Sequence, residues 1–151
     1  MLRFDTCTFH ELALTNGFGA FVCEYRDETA NPAIGEAGPQ MEKYYELDKE
    51  GRLHVIRVCD DGHLAGAAVL LVTPSQHYPF PLVGVDSIYL RKPWRKGGTG
   101  LRLLAMIKGQ AQALGAPGFP IMAPPESPLD KLCKLKGFSH THNCYWVSAD
   151  E

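Results

Sequence analysis

Arg95-Lys96-Gly97-Gly98-Thr99-Gly100 sets three glycines and two cations in a run of six, directly after an apolar stretch and directly before a helical one. Such a turn leaves the first N–H groups of the helix without partners and aims them at whatever occupies the turn. Phosphate oxyanions are the usual occupants, because bare amides and the helix dipole both favour negative charge. Glycine lets the backbone come close, and Arg91, Lys92, Arg95 and Lys96 add attraction. Two familiar phosphate motifs fail here. The P-loop requires Gly-Lys-Ser/Thr where this chain has Gly-Gly-Thr-Gly, and the spacing of the dinucleotide fingerprint is absent.

The chain of 151 residues is long enough for one domain with a real core and too short for two ordinary ones, so residues 1–151 are read as a single domain. Apolar residues at 45% and charged residues at 21% describe a globular chain. No apolar run approaches a membrane span, and the start, MLRFDTCTFHEL, lacks the order of a signal peptide, so a cytoplasmic protein without membrane contact is expected. Cys7, Cys23, Cys59, Cys133 and Cys144 are odd in number and scattered without a CxxC pair, which predicts reduced thiols. His140, His142 and Cys144 alternate along a strand-like run but lack a fourth ligand, so no metal is expected. The net charge of −2 disfavours general nucleic-acid binding. Charge is nonetheless segregated: residues 1–50 hold ten acidic and four basic side chains, whereas residues 91–108 hold six basic ones and no acid.

The elements that must position the glycine turn follow from pattern. Leu2-Arg3-Phe4 predicts a first strand, and Thr8 with Glu11 a capping box opening a helix to about Arg26, with Gly17 and Gly19 interrupting its middle. Residues 29–40 read as a loop and Met41 to about Lys49 as a helix. Leu53–Cys59 and Leu64–Thr73 are β-rich runs flanking the hairpin signal Asp60-Asp61-Gly62-His63. Leu82–Leu90 predicts the strand that feeds the turn, and Leu101, Leu104, Ile107, Ala111 and Leu114 follow helical spacing beyond it. Phe119–Ala123 predicts a short strand, Ser127–Lys136 a helix with Pro128 in its first turn, and Phe138–Ser148 a closing hairpin.

Arg95, Gly98 and Gly100 match R-x-x-G-x-G, and in this strand–turn–helix setting the chain resembles the GNAT family of N-acetyltransferases. The element order and Lys136-Gly137-Phe138 at the end of the penultimate helix extend the resemblance over most of the chain. It implies an α/β (α+β) fold with a mixed, mostly antiparallel central sheet flanked by helices. It further implies acetyl-CoA as co-substrate, its pyrophosphate on the backbone amides of Arg95, Lys96, Gly97, Gly98, Thr99 and Gly100. Ile88 would present its N–H to the thioester carbonyl, and the main chain over Ile88, Tyr89 and Leu90 would hold the pantetheine arm. Pro93 stands two residues before Arg95, one nearer than the family's common position.

The implied reaction moves an acetyl group to a primary amine, on a small molecule or a protein, by direct attack, and an amine attacks only when neutral. Asp86, two residues before Ile88 and so expected on the same face, is the first candidate base, with Glu126 and Glu24 behind it. The family's acid, a tyrosine four residues before the Gly of Gly-Phe, is replaced by Cys133, which is either the acid or a packing residue. Tyr89, Tyr78 or solvent would otherwise serve. Tyr44 and Tyr45 are expected to line an acceptor cleft whose acids (Glu24, Asp27, Glu28, Glu36, Glu42) suit a cationic amine. A non-catalytic acyl-CoA-binding module and a nucleic-acid-modifying relative are the alternatives, and a homodimer is left open.

Overall fold

The structure, a computed structural model, describes residues 1–150. Four strands, β1 (Leu2–Cys7), β2 (Leu53–Asp60), β3 (His63–Thr73) and β4 (Leu82–Leu90), form one sheet in the order β1-β2-β3-β4, antiparallel throughout. Five helices accompany it: α1 (Phe9–Ala13), α2 (Phe18–Thr29), α3 (Met41–Lys49), α4 (Thr99–Ala113) and α5 (Pro128–Leu135). None is long and apolar enough to cross a membrane.

Local chemistry accounts for most boundaries. Thr8 and Glu11 form the reciprocal capping box at α1. Asp61 (φ 47°) and Gly62 (φ 85°) make a two-residue turn with both φ angles positive, the geometry whose twist matches the strands it joins. The interior strand β3 buries Leu64, Ala65, Ala67, Ala68, Val69 and Leu70 on both faces, so its sequence is continuously apolar and does not alternate. One face packs Ile56, Val58, Ala68, Leu70 and Val83 against Leu103, Leu104, Ile107 and Ala111 of α4. The other packs Leu53, Val55, Ala67, Val69 and Tyr89 against Phe9, Leu12 and Phe21 of α1 and α2. At Gly66 a Cβ would overlap Leu90 and lie 2.8 Å from the Tyr89 carbonyl oxygen. Glycine there lets β3 and the last residues of β4 approach closely.

Two expectations are corrected. The first helix does not run through to Arg26: α1 ends at Ala13, and Gly17, with φ 88°, caps a separate α2. Among the described residues, neither Phe119–Ala123 nor Phe138–Ser148 joins a ladder. Pro117, Pro120, Pro124 and Pro125 crowd the first segment, and Pro120 lacks the N–H that a central strand must donate. Without that strand the following hairpin has no neighbour, and Tyr145, Trp146 and Val147 stay exposed. β4 is therefore an edge of the sheet, as β1 is at the other side.

Candidate active site

The turn between β4 and α4 is built by left-handed backbone. Gly97 has φ 60° and Gly98 φ 76°, and a Cβ added at either would meet nothing within 4 Å. The amides of Lys96, Gly97, Gly98, Gly100 and Leu101 donate to no acceptor among the described residues. Those of Arg95 and Thr99 turn inward, to the carbonyls of Lys92 and Lys96, each at 3.2 Å. Thr99 is buried and its hydroxyl also donates to the Lys96 carbonyl, at 2.7 Å. The expected cradle over Arg95 to Gly100 thus contracts to four open amides, with Leu101 added, while Arg95 and Thr99 shape the turn. The open glycine backbone at a helix N-terminus fits an anionic group such as a pyrophosphate.

The arginines beside the turn are not free for that group. Arg95 is held bidentately by Glu28 at 2.7 and 2.7 Å, donates its Nε to the Leu90 carbonyl at 2.7 Å, and lies over the Tyr89 ring. Arg91 pairs with Glu24 at 3.0 and 2.7 Å and lies over Trp94. Arg102 lies over Phe4. Two carboxylates one turn apart on α2 therefore clasp two guanidiniums four residues apart. Asp27 pairs with its neighbour Arg26, so Glu24, Asp27 and Glu28 are paired within the protein, while Glu36 and Glu42 have no ion pair among the described residues. Lys92, Lys96 and the exposed Arg102 have no ion pair among the described residues and remain as the positive charge at the turn.

The clasp predicts a pH dependence. The Arg95 guanidinium holds the Glu28 carboxyl below the usual range, and Arg91 does the same for Glu24. A depressed carboxyl contributes stability in full above its unfolded-state value and loses it as pH falls through its folded-state value. Thermal denaturation should therefore show stability declining as pH drops below about 4.3, with a shallower decline in Glu28→Gln. At neutral pH that variant should be less stable by about 1 kcal/mol, a value discounted for the pair's partial exposure.

The main chain of β4 divides cleanly between its two edges. Arg91 N–H donates to the Ala65 carbonyl of β3, so alternation turns Tyr89 toward β3 and leaves Ile88 and Leu90 with N–H and C=O on the open edge. The Leu90 carbonyl on that edge already accepts from Arg95. Tyr89 is not available to an open-edge ligand. Its backbone pairs with Ala67, its ring is buried against Phe21 and Tyr25, and its hydroxyl donates to Glu28 at 2.7 Å.

Asp86 is also placed differently from its expected position. Val69 pairs with Ser87 and Leu70 with Val85, so Asp86 is the extra residue of a β-bulge. The bulge breaks the period of two: Val83, Val85, Ile88 and Leu90 pack on the α4 side, whereas Asp86 reaches toward α3. Its Oδ2 accepts the Tyr44 hydroxyl at 2.8 Å, and Asp86 itself is exposed. Asp86 and Ile88 therefore do not share a face.

Of the other candidates, Glu24 is committed to Arg91, and the exposed Glu126 pairs with Lys134. Burial first, and then Glu28, push the Tyr89 phenol up to about 12, which makes it a poor acid at neutral pH. Tyr78 stacks on Phe80 in the loop before β4, and Leu82 alone is roughly 20 Å along the strand from Ile88. Burial pushes the Cys133 thiol up, with Asp130 adding to it, so it is protonated at neutral pH. Its neighbour Leu132 packs beside Gly100, which sets α5 against the turn. Sequence reasoning missed the Glu24/Glu28 clasp and the bond from Tyr44 to Asp86. The first had a signal, an i,i+4 pair of acids answered by an i,i+4 pair of arginines.

Residues 19–147 match the model of the acetyltransferase (GNAT) family. An aminoglycoside acetyltransferase, HMB0005, from an uncultured soil metagenomic sample superposes with a TM-score of 0.77 at 14% identity, covering 99% of each chain. Ribosomal-protein-alanine N-acetyltransferase from Brucella melitensis biovar Abortus 2308 superposes with a TM-score of 0.71 at 14% identity, covering 98% of this chain and 97% of that one. A predicted acetyltransferase with acetyl-CoA from Clostridium acetobutylicum gives 0.69 at 11% identity, covering 98% and 96%. At such identities the likeness carries the fold alone. No curated protein matches in sequence. The family match spans the strand, the glycine turn and the helix whose open amides were described above, and by it the chain belongs to the acetyltransferase (GNAT) family.

Proposed function

We propose that the protein transfers an acetyl group from acetyl-CoA to a primary amine by direct attack, without a covalent enzyme intermediate. One observation carries the reading: the open amides of the glycine turn and the open-edge N–H groups of Ile88 and Leu90 belong to one continuous strand–turn–helix unit. The turn would hold the pyrophosphate, and Ile88 N–H would face the thioester oxygen, where negative charge develops during attack. Asp86 would take a proton from the acceptor ammonium, directly or through water, and so leave the neutral amine that attacks. Cys133, protonated and on the helix beside the turn, is the candidate donor to the leaving thiolate, with solvent as its substitute.

Calorimetric titration with acetyl-CoA tests the reading. Micromolar binding, followed by turnover in a screen of primary amines, is the expected result; no heat of binding would overturn it. The Cys133 substitution supports a second reading, a binding module that holds acetyl-CoA and transfers nothing, and binding without turnover across the screen would select it. The basic stretch gives little support to a nucleic-acid role, because Arg91 and Arg95 are paired with Glu24 and Glu28 within the protein.

A further inference from the structure

The carboxylate assigned as base sits in an unusual place. As a bulge residue Asp86 has no cross-strand partner, and its side chain is exposed, so neither ladder nor packing fixes its rotamer. A general base must stay within hydrogen-bond reach of the proton it takes. One contact supplies the restraint, the 2.8 Å bond from the Tyr44 hydroxyl to Oδ2. Oδ1 is left without a protein donor among the described residues.

We propose that Tyr44 is a positioning residue of the transfer reaction, its hydroxyl pinning one oxygen of Asp86 at the bulge so that the other faces the acceptor amine. The inference rests on the acetyltransferase reading above. Tyr44 is well held for this task. Its ring stacks on Phe9 at 4.7 Å with 11° between planes, and Phe9 is buried, edge-on to Phe18 and Tyr45. The Phe9 amide donates to Asp48 Oδ2 at 3.0 Å, which ties the start of α1 to α3, the helix that carries Tyr44. The restraint on Asp86 therefore runs back through an aromatic stack into the α1–α3 core. Burial, followed by the bond to Asp86, raises the Tyr44 phenol well above its ordinary value, so it remains a donor across the working pH range.

A double-mutant cycle on the full chain tests the proposal. Tyr44→Phe keeps the ring on Phe9 and removes only the hydroxyl. The expected result is a fall of about tenfold in kcat/KM for the amine, with the acetyl-CoA Kd and the melting temperature unchanged. In an Asp86→Asn background the same change should cost less than about twofold, because interacting residues are not additive. Equal factors in the two backgrounds, or a Tyr44→Phe enzyme at the wild-type rate, would overturn the proposal and leave the transferase reading standing. An Asp86→Asn enzyme at the wild-type rate would also overturn it, since Tyr44 would then have no base to position. A wild-type chain that acetylates no amine would overturn both readings together.

Discussion

Gly98→Asp should lower the affinity for acetyl-CoA by about a hundredfold, the order of effect that like charges produce when forced together in an interface. The residue has φ 76°, a conformation that aspartate and asparagine tolerate better than other side chains, and its Cβ would meet nothing within 4 Å. The fold should survive, with a stability cost of about 1 kcal/mol from the left-handed backbone. The new carboxylate would stand at the N-terminus of α4 among the open amides, where it competes with the pyrophosphate for the same donors. Gly98→Asn supplies the control, with the same shape and no charge. Calorimetry should show a much smaller loss for Asn than for Asp, and equal losses would mean that shape, not charge, is read there. Gly100 is a poorer probe. Its Cβ would lie 3.6 Å from a Leu132 methyl and 3.7 Å from a Leu90 methyl, so a carboxylate at that position enters apolar packing and threatens the fold.

Asp86→Asn should reduce kcat for amine acetylation by about a hundred- to a thousandfold, within the range a general base supplies. Asparagine still accepts from the Tyr44 hydroxyl, so the bulge and α3 stay in place. The acetyl-CoA Kd should be unchanged, because the glycine turn lies beyond Leu90 and Asp86 reaches toward α3. The deficit should shrink as pH rises toward about 10, where a primary amine deprotonates in solution and needs no base. Steady-state kinetics of both proteins between pH 6 and 10 would reveal this; a deficit constant across that interval would exclude Asp86 as the base.

Much of the fold was legible because its signals are local. The hairpin at Asp61-Gly62, the start of α1 at Thr8 and the limits of β4 depend on a few adjacent residues, and each formed where its chemistry predicts. The segments after α4 were not legible, because a strand exists only when a partner accepts its hydrogen bonds, and Pro120 with its neighbours denies that partner. The site divided along similar lines. The open amides follow from helix-terminus physics, which needs no distant residue. The orientation of Asp86 depends on one unpaired residue across from Val69 and Leu70, and nothing in the strand's own sequence announces a bulge. The neutralisation of Arg91 and Arg95 by α2 likewise depends on how two elements dock, with the paired residues 67 apart in sequence.

The open edge of β4 has a cost outside the reaction. Ile88 and Leu90 can offer their amides to a ligand only if no strand covers them, and an uncovered strand is also a template on which other chains can add and aggregate. This edge is short and bracketed by proline, with Pro79 and Pro81 ahead of Leu82 and Pro93 three residues after Leu90. A foreign strand that docked there could not extend its pairing past either end, since each proline withdraws a donor. The prolines thus confine the exposed backbone to the nine residues of β4, at whose end the open amides of Ile88 and Leu90 lie.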